Sequence, residues 1–386
     1  MKTVVLKGPV LTQSGYGVHS RQVARWLLQR GDVDVKFIAT PWGDTPWIVN
    51  QASHGGLAGQ IMQRSVSPEA AVGCDVSLQL QLPNEWDTRL SRVNVGITAA
   101  VETDRCNPEW VTACNAMHSV IVPSQHVKQC LANTGNITKP IIVIPESYSD
   151  ACTAPELPTL PDFSTPFNFL IFGQLTGNNP NSDRKNTFYT IKWLCEAFKD
   201  DKDVGIVIKT NAGRNSRIDR NMVTNLLKQL LSEVRKGPYP KFTLLHGDMS
   251  DEEVASLYRH KQVKALVALT RGEGYGLPIL EAAASGLPII ATGWSGHMDF
   301  LKHGKFISVY YQLGEVHPSR VDNKIFIKGS RWANPSEEDF KKRALKFRES
   351  SSTPKEWELD LQKKITETYN FEKVALAYDA ALREVI

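Results

Sequence analysis

A-L-V-A-L-T-R-G-E-G-Y-G-L-P-I-L-E-A-A-A-S-G-L-P-I-I-A-T, running from Ala265 to Thr292, is the stretch from which the fold can be read. Ala265–Ala268 is an apolar run that predicts a strand. A Gly-rich loop, Gly272–Gly276, follows it. Pro278 fits the first helical position of a helix Pro278–Ser285, where its missing N–H costs nothing. Gly286 is placed to end the helix, because it enters the left-handed region without a Cβ penalty. Pro288–Ala291 then predicts another strand. Strand, loop, helix, strand is the repeating unit of a parallel α/β sheet. The loop points backbone N–H groups out of a helix N-terminus, which makes a ready anion site.

The same alternation extends in both directions. Upstream, strands are predicted at Thr3–Leu6, Val35–Ala39, Val76–Leu80, Val93–Ile97, Ser119–Val122 and Ile141–Ile144. Helical patterns lie at Val18–Gln29, Pro108–Met117 and Gln125–Asn133. A proline-rich stretch, Asp150–Thr165, interrupts them and reads as a domain junction. A second series starts at Phe167–Phe172. It continues through helix Asn186–Phe198, strand Gly205–Ile208, helix Arg220–Glu233, strand Phe242–Leu245 and helix Asp251–Tyr258 into the quoted stretch. Phe371–Val385 is a final amphipathic helix. The expected domains are residues 1–150, a linker at 151–165, a second domain at 166–365, and a C-terminal helix at 366–386 returning to the first. The fold class is α/β: two Rossmann-like domains facing a central cleft, with ligands beyond the carboxyl ends of the strands.

A length of 386 residues suits two such domains. With 41% hydrophobic and 22% charged residues, the chain has too much apolar content for disorder. A net charge of +4 suits an anionic ligand but is too small to demand a nucleic-acid partner. Cysteines 74, 106, 114, 130, 152 and 195 form no C-x-x-C pair, so neither a zinc ribbon nor a thioredoxin-type site is expected. They read as reduced thiols, and the chain as cytoplasmic. The N-terminal apolar run is too short for a signal peptide and reads as a buried strand. No stretch approaches the ~20 apolar residues of a membrane helix, which leaves peripheral membrane contact open.

Within the quoted stretch, Glu273 precedes the anion site and Glu281 lies inside the helix. A carboxylate beside a phosphate site is unfavourable unless it binds something else. Glu281 is suited to vicinal ribose hydroxyls, since a carboxylate accepts from two O–H groups. Glu273 is then nearer a sugar. Two glutamates separated by seven residues, with G-Y-G-L-P between them and A-A-A-S-G-L-P-I-I after, closely resemble the retaining family-4 type glycosyltransferases of GT-B fold. These are the group 1 enzymes that include glycogen-synthase-like and mannosyltransferase-like members. A-T-G-W-S-G-H-M-D-F-L (Ala291–Leu301), V-E-T-D-R-C-N-P-E-W (Val101–Trp110), I-V-P-S-Q-H-V-K (Ile121–Lys128) and V-I-P-E-S (Val143–Ser147) share the resemblance, which therefore covers nearly the whole chain.

The resemblance implies a hexose-type sugar moved from a nucleotide-diphosphate sugar to an acceptor hydroxyl, with anomeric configuration retained. It implies no cofactor and no metal, the nucleotide sugar being the donor substrate. Asp32-Val33-Asp34 has the letters of a metal-binding D-x-D but sits in a turn before a strand, and is discounted. In S-D-R-K-N, Arg184 and Lys185 match the basic pair that contacts the donor diphosphate. Relatives carry a further basic residue after the glycine ending this strand. Here Gly173 is followed by Gln174, and Lys209 is the candidate replacement, polar strand termination being the alternative. Gly274, Tyr275, Gly276 and Leu277 are the phosphate loop. Gly247 and Met249 in L-H-G-D-M-S are expected near the nucleobase, while Ser250 and Glu253 form a plain capping box.

In the first domain, T-Q-S-G-Y-G-V-H-S-R places Gly15, Tyr16 and Gly17 before a helix. The glycines can take positive φ and approach the donor phosphate, or can be a simple tight turn. His19 and Arg21 lie on the helix behind. Glu102 in A-A-V-E-T-D-R is a candidate for orienting the acceptor, or a cap partner of Thr103 or Arg105. The acceptor is expected to be a saccharide or lipid-linked glycan. Two alternatives remain open. One is glycosylation of modified DNA, which the basic run Lys341–Arg348 permits although an ordinary solvated helix explains it. The other is a GT-B epimerase or a non-catalytic nucleotide-sugar binder.

Overall fold

The computed structural model describes every residue except 174–178, 212 and 214. The expected departure at Gln174 lies outside the described residues. The chain divides into two compact units. The first comprises Met1–Ser147, Asn323–Ile325 and Phe371–Ile386; the second comprises Tyr148–Asp322 and Phe326–Asn370.

The first unit holds a parallel six-stranded sheet: β1 (Lys2–Gly8), β2 (Val33–Ala39), β3 (Cys74–Leu80), β4 (Ser91–Ile97), β5 (Ser119–Val122) and β6 (Ile141–Val143). Its order is β2-β1-β3-β4-β5-β6, so the chain reverses direction across the sheet between β1 and β3. Val4 and Leu6 of β1 and Val76 and Leu78 of β3 pack with Val23, Trp26 and Leu27 of helix Gly15–Gln29. The C-terminal helix, Phe371–Leu382, completes this core. Its Tyr378 stacks on Trp26 at 5.0 Å, and Asp379 accepts from the Trp26 indole at 3.0 Å. The expected return of the last helix to the N-terminal domain is thus borne out by its packing.

The second unit holds another parallel six-stranded sheet: β7 (Phe167–Phe172), β8 (Val204–Thr210), β9 (Lys241–His246), β10 (Val263–Ala268), β11 (Ile289–Thr292) and β12 (Ile307–Val309). The order is β12-β11-β10-β7-β8-β9, which puts the switch point between β7 and β10. Helices cover both faces, so side chains on both faces of β7 are buried: Leu170 in one core, Phe169 and Ile171 in the other. An antiparallel hairpin, β13 (Tyr311–Glu315) and β14 (Arg331–Pro335), is appended; the sequence pattern does not announce it.

The unit boundary falls at Ser147, ahead of the expected linker. Residues 151–165 pack on the second unit because their polar backbone finds partners there. Ser256 donates to the Pro158 carbonyl at 2.7 Å, and Gln262 bonds the Phe163 N–H and carbonyl at 2.7 and 3.0 Å. The segment returning to the first unit begins at Phe371 rather than at 366. No helix among the described residues is long and apolar enough to cross a membrane. All six cysteines are buried and free of disulfides.

Candidate active site

The quoted stretch folds as read except that its helix begins at Leu277, one residue before Pro278. Gly276 takes φ +101° as the N-cap of helix Leu277–Ala284, with no side chain capping the helix. The helix ends in a Schellman motif: Gly286, at φ +69°, donates to Ala283 at 3.1 Å, and Leu287 to Ala282 at 3.0 Å.

The S-D-R-K-N loop is built to meet it. The Asp183 carboxylate accepts from the Lys185 N–H at 2.9 Å and the Thr187 N–H at 2.7 Å, which starts helix Thr187–Ala197. Asn186 turns the chain in the left-handed region, at φ +55°. The two loops are then laced together. Arg271 N–H donates to the Arg184 carbonyl at 2.8 Å, and Arg271 Nε to the Asp183 carbonyl at 3.2 Å. The Arg271 guanidinium also bonds Asn334 of β14 and lies over the Trp332 ring.

This lacing brings three charges together. Lys185 Nζ lies 2.6 Å from Glu273 Oε1, and Arg184 Nη1 lies 3.2 Å from Oε2. Arg184 also donates to the Gly272 carbonyl at 2.8 Å. Burial opposes ionisation of Glu273, but Lys185 and Arg184 outweigh it and hold the carboxyl down at about 2. The group is therefore a carboxylate at neutral pH, and the cluster carries a net charge of +1.

Ser295 and His297, from G-W-S-G-H, fix the Glu273 backbone. The Glu273 N–H donates to Ser295 Oγ at 2.9 Å, and that hydroxyl lies 3.4 Å from His297 Nδ1. His297 Nε2 is 2.7 Å from the Thr292 carbonyl, so Nε2 carries the proton and Nδ1 accepts. Burial keeps this imidazole below its usual pKa, in the neutral form the network needs. Ser295 sits at φ +91°, a costly conformation for a residue with a Cβ. Gly296 donates to the Glu273 carbonyl at 2.9 Å. A Cβ on Gly296 would lie 2.1 Å from the Gly274 carbonyl oxygen, so only glycine permits this approach. Asp183, Arg271, Ser295 and His297 are site residues that the sequence reading did not single out. Ser295 and His297 stood inside a quoted motif, and Arg271 stood beside Glu273; their contacts were not visible in the spacing.

Lys185, Thr270, Glu273, Gly276 and Pro278 line a recess with Phe172 of β7 and Ala268 of β10. It opens at the carboxyl ends of β7 and β10, at the switch point, where ligands of open α/β sheets bind.

Other expected residues are placed differently. Glu281 lies half-buried and away from this cluster. Tyr258 donates to it at 3.3 Å, and burial together with Asp251 pushes its carboxyl up to about 8. The Tyr275 ring is buried in the core, 5.4 Å from Phe300, so only its backbone is on offer in the loop. Leu277 likewise packs against that core. Lys209 does not join Arg184 and Lys185. Its ammonium donates to the Gly247 carbonyl and to Asn211, both at 2.6 Å, and burial lowers it to about 8. It holds the Gly247 turn, at φ +107°, in place. Met249 packs beside the same core, and Ser250 and Glu253 form the reciprocal capping box.

In the first unit, Gly15 and Gly17 are not at positive φ; they are the first and third residues of helix Gly15–Gln29. Ser14 caps that helix by accepting from Gly17 N–H at 2.9 Å. Gly17 is needed for packing, since a Cβ there would meet the Thr12 carbonyl at 2.1 Å, whereas Gly15 faces open space. The Tyr16 hydroxyl bonds Thr98 at 3.2 Å and the Ala99 N–H at 3.0 Å. His19 and Arg21 are interior residues. His19 bonds the Tyr378 hydroxyl at 3.1 Å, and burial lowers it to about 3; Arg21 donates to the Thr12 carbonyl at 2.7 Å. Burial raises the Tyr16 phenol and nearby Glu102 adds to the effect, while the Thr103 hydroxyl donates to the Arg105 carbonyl at 2.8 Å.

The sequence profile of the family described as Glycosyl transferases group 1 matches residues 225–314, which include the Glu273 loop and its helix. Residues 225–314 thus carry the signature of the group 1 glycosyltransferases. A probable sucrose-phosphate synthase of Thermosipho melanesiensis is 26% identical over 199 residues, 50% of this chain and 37% of that protein. The match thus spans little more than a third of that relative. Among solved structures, Anabaena HepE in complex with UDP and glucose matches with a TM-score of 0.66 at 12% identity, covering all of both chains. Sucrose-phosphate synthase of Thermosynechococcus elongatus matches with a TM-score of 0.61 at 13% identity, over all of this chain and 99% of that one. These likenesses establish the GT-B fold that the group 1 motifs implied.

Proposed function

We propose that this chain is a retaining group 1 glycosyltransferase that moves a hexose-type sugar from a nucleotide-diphosphate sugar to an acceptor hydroxyl. The observation that carries the reading is the Arg184–Glu273–Lys185 cluster at the mouth of the switch-point recess. A carboxylate there has no use in binding phosphate. It suits sugar hydroxyls and the positive charge that develops at an anomeric carbon. Arg184 and Lys185 suit the leaving diphosphate, whose charge grows as the sugar–phosphate bond loosens. The backbone at the Gly276 helix start adds a favourable dipole for the same phosphates. The acceptor hydroxyl attacks from the face the diphosphate leaves, and the departing phosphate takes its proton. Glu281 is assigned to the ribose, and the Gly247–Met249 turn to the base. The fold-related HepE was solved with UDP-glucose, which makes uridine diphosphate sugars the first donors to try.

The reaction needs no metal in this reading, because two side-chain cations and the helix N-terminus supply the positive charge. A thermal-shift screen of nucleotide sugars tests donor binding, since a tight donor stabilises the fold by mass action. Proton NMR of the product anomer, with and without chelator, tests the rest. An inverted anomer, or loss of turnover with EDTA, would refute the mechanism.

A nucleic-acid acceptor is disfavoured by the pairing of the basic run. Lys341 bonds Glu196 and Glu337, Arg343 bonds Asp339 at 2.7 Å, and Arg348 bonds Asp201 at 2.9 Å. Three of its five cations are thus paired inside the unit.

A further inference from the structure

The loop after β2 carries two tryptophans, Trp42 and Trp47, which neither the sequence motifs nor the donor chemistry absorbs. We infer that they form an aromatic platform that binds the pyranose ring of a saccharide acceptor. The inference rests on the transferase reading for the word acceptor, but its geometry is independent of the donor site.

The loop is built as a fixed display. Its backbone is sewn to the segment that follows β1: Gln13 N–H donates to the Pro46 carbonyl at 2.9 Å, and Ile48 N–H to the Leu11 carbonyl at 2.7 Å. Thr12 and Trp47 form a β-bridge between them. The turn itself is closed by Thr45, whose hydroxyl donates to the Trp42 carbonyl at 2.7 Å across Gly43, at φ +50°. Trp42 stacks on Tyr16 with ring centroids 3.9 Å apart and planes 18° from parallel. Tyr16 is itself pinned by Thr98 and Ala99 from the loop after β4. One face of the Trp42 indole is therefore spoken for, and its ring is held without help from a ligand.

Trp47 is the anomaly. The backbone is bonded on both sides of it, yet the residue is 44% exposed. An indole left in water on a rigid backbone forgoes the burial that such large side chains normally gain. The place is also informative. Tyr16, Trp42 and Trp47 stand at the carboxyl ends of β1 and β2, beside the β1–β3 switch point, where a Rossmann-like sheet binds its ligand.

The chemistry selects a sugar. A pyranose has an apolar C–H face and a polar rim, so it needs a flat aromatic surface with hydrogen-bonding groups around it. Asp44 and Thr45 lie in the same turn, and Glu102 lies near Tyr16. A lipid surface would call for aliphatic side chains flanked by cations; within 40–48 the only charge is Asp44.

Saturation-transfer NMR on the full-length protein with maltose, lactose, sucrose and chitobiose tests this. Nine tryptophans make bulk emission ambiguous, whereas saturation transfer reports which sugar protons touch protein. At least one disaccharide is expected to show transfer to the C–H protons of one ring face. Trp47→Ala should weaken its binding at least tenfold, and Trp47→Phe by less than threefold. Trp42→Ala should act like Trp47→Ala. If it unfolds the chain, Trp47→Ala alone decides, because its ring is exposed. Equal affinity of wild type and Trp47→Ala, or no disaccharide bound while a nucleotide sugar is, overturns the platform and leaves the transferase reading intact. Tryptophan-dependent saccharide binding without any nucleotide-sugar binding overturns the transferase reading and leaves the platform.

Discussion

Glu273 and Glu281 are separated by seven residues and lie in opposite electrostatic settings. The first is held ionised by Arg184 and Lys185, and the second is held protonated by burial and Asp251. Replacing Arg184 and Lys185 together by alanine should cut turnover by more than ~100-fold, the scale of lost charge stabilisation at a developing anion. A steady-state assay checks this, and activity within tenfold of wild type would exclude the role. For Glu281 the sign follows from its raised folded-state pKa. Between an unfolded value near 4.5 and a folded value of about 8, the native state binds more protons than the unfolded one. Its contribution to stability is therefore complete below 4.5 and is lost as pH rises to about 8. Urea midpoints measured from pH 5 to 8 should fall less steeply in Glu281→Gln than in wild type. If ribose binding requires the carboxylate, donor affinity should rise over the same window in wild type and stay flat in the variant.

At the level of elements, alternation and punctuation carried most of the message. The strand at Phe167–Phe172, the helix at Asp251–Tyr258 and the Gly286 stop were all readable, because apolar runs and glycines encode them locally. The hairpin β13–β14 was not, because its register depends on tertiary contacts such as Arg271 with Asn334. The site was legible in the same uneven way. Arg184, Lys185 and Glu273 could be named from their motifs, but not that they bond one another across 88 residues of chain. Lys209 was read toward phosphate and is instead tied to the Gly247 carbonyl, a partner that no spacing reveals. Gly17 shows the limit most clearly. Glycine there was read as a licence for positive φ, whereas a helical residue without a Cβ is what the Thr12 carbonyl demands. Gly17→Ala should destabilise the fold by about 1–3 kcal/mol, the usual penalty for overpacking. Gly15→Ala, facing open space, should be neutral or slightly stabilising. Paired thermal melts compare the two, and equal melting points would show the packing argument to be wrong.

On the scale of the whole chain, the last helix belongs to the first unit's core despite following the second in sequence. Val374, Tyr378 and Leu382 are buried there, and Tyr378 contacts both Trp26 and His19. Truncation before Phe371 should expose this apolar face and remove the Tyr378 hydroxyl from His19. The first unit is then expected to unfold at lower denaturant, with the second keeping its midpoint. Hydrogen exchange resolved by peptide would separate the two, and uniform protection across both units would contradict the assignment. The sequence order thus makes the first unit's core discontinuous, and a nascent chain cannot finish it until Phe371–Leu382 has been made.

The pairing of Glu273 with both cations gives the resting site a built-in counter-ion. An empty pocket holding two bare positive charges would collect inorganic phosphate and any free nucleotide. On the mechanism proposed above, an incoming diphosphate would displace a carboxylate, and only a donor that offers that carboxylate sugar hydroxyls in exchange would recover the loss. On that mechanism the same swap would run backward after transfer, with Glu273 re-pairing once the sugar has gone and expelling the spent nucleotide. Selection of donor and release of product would then be two directions of a single ion exchange.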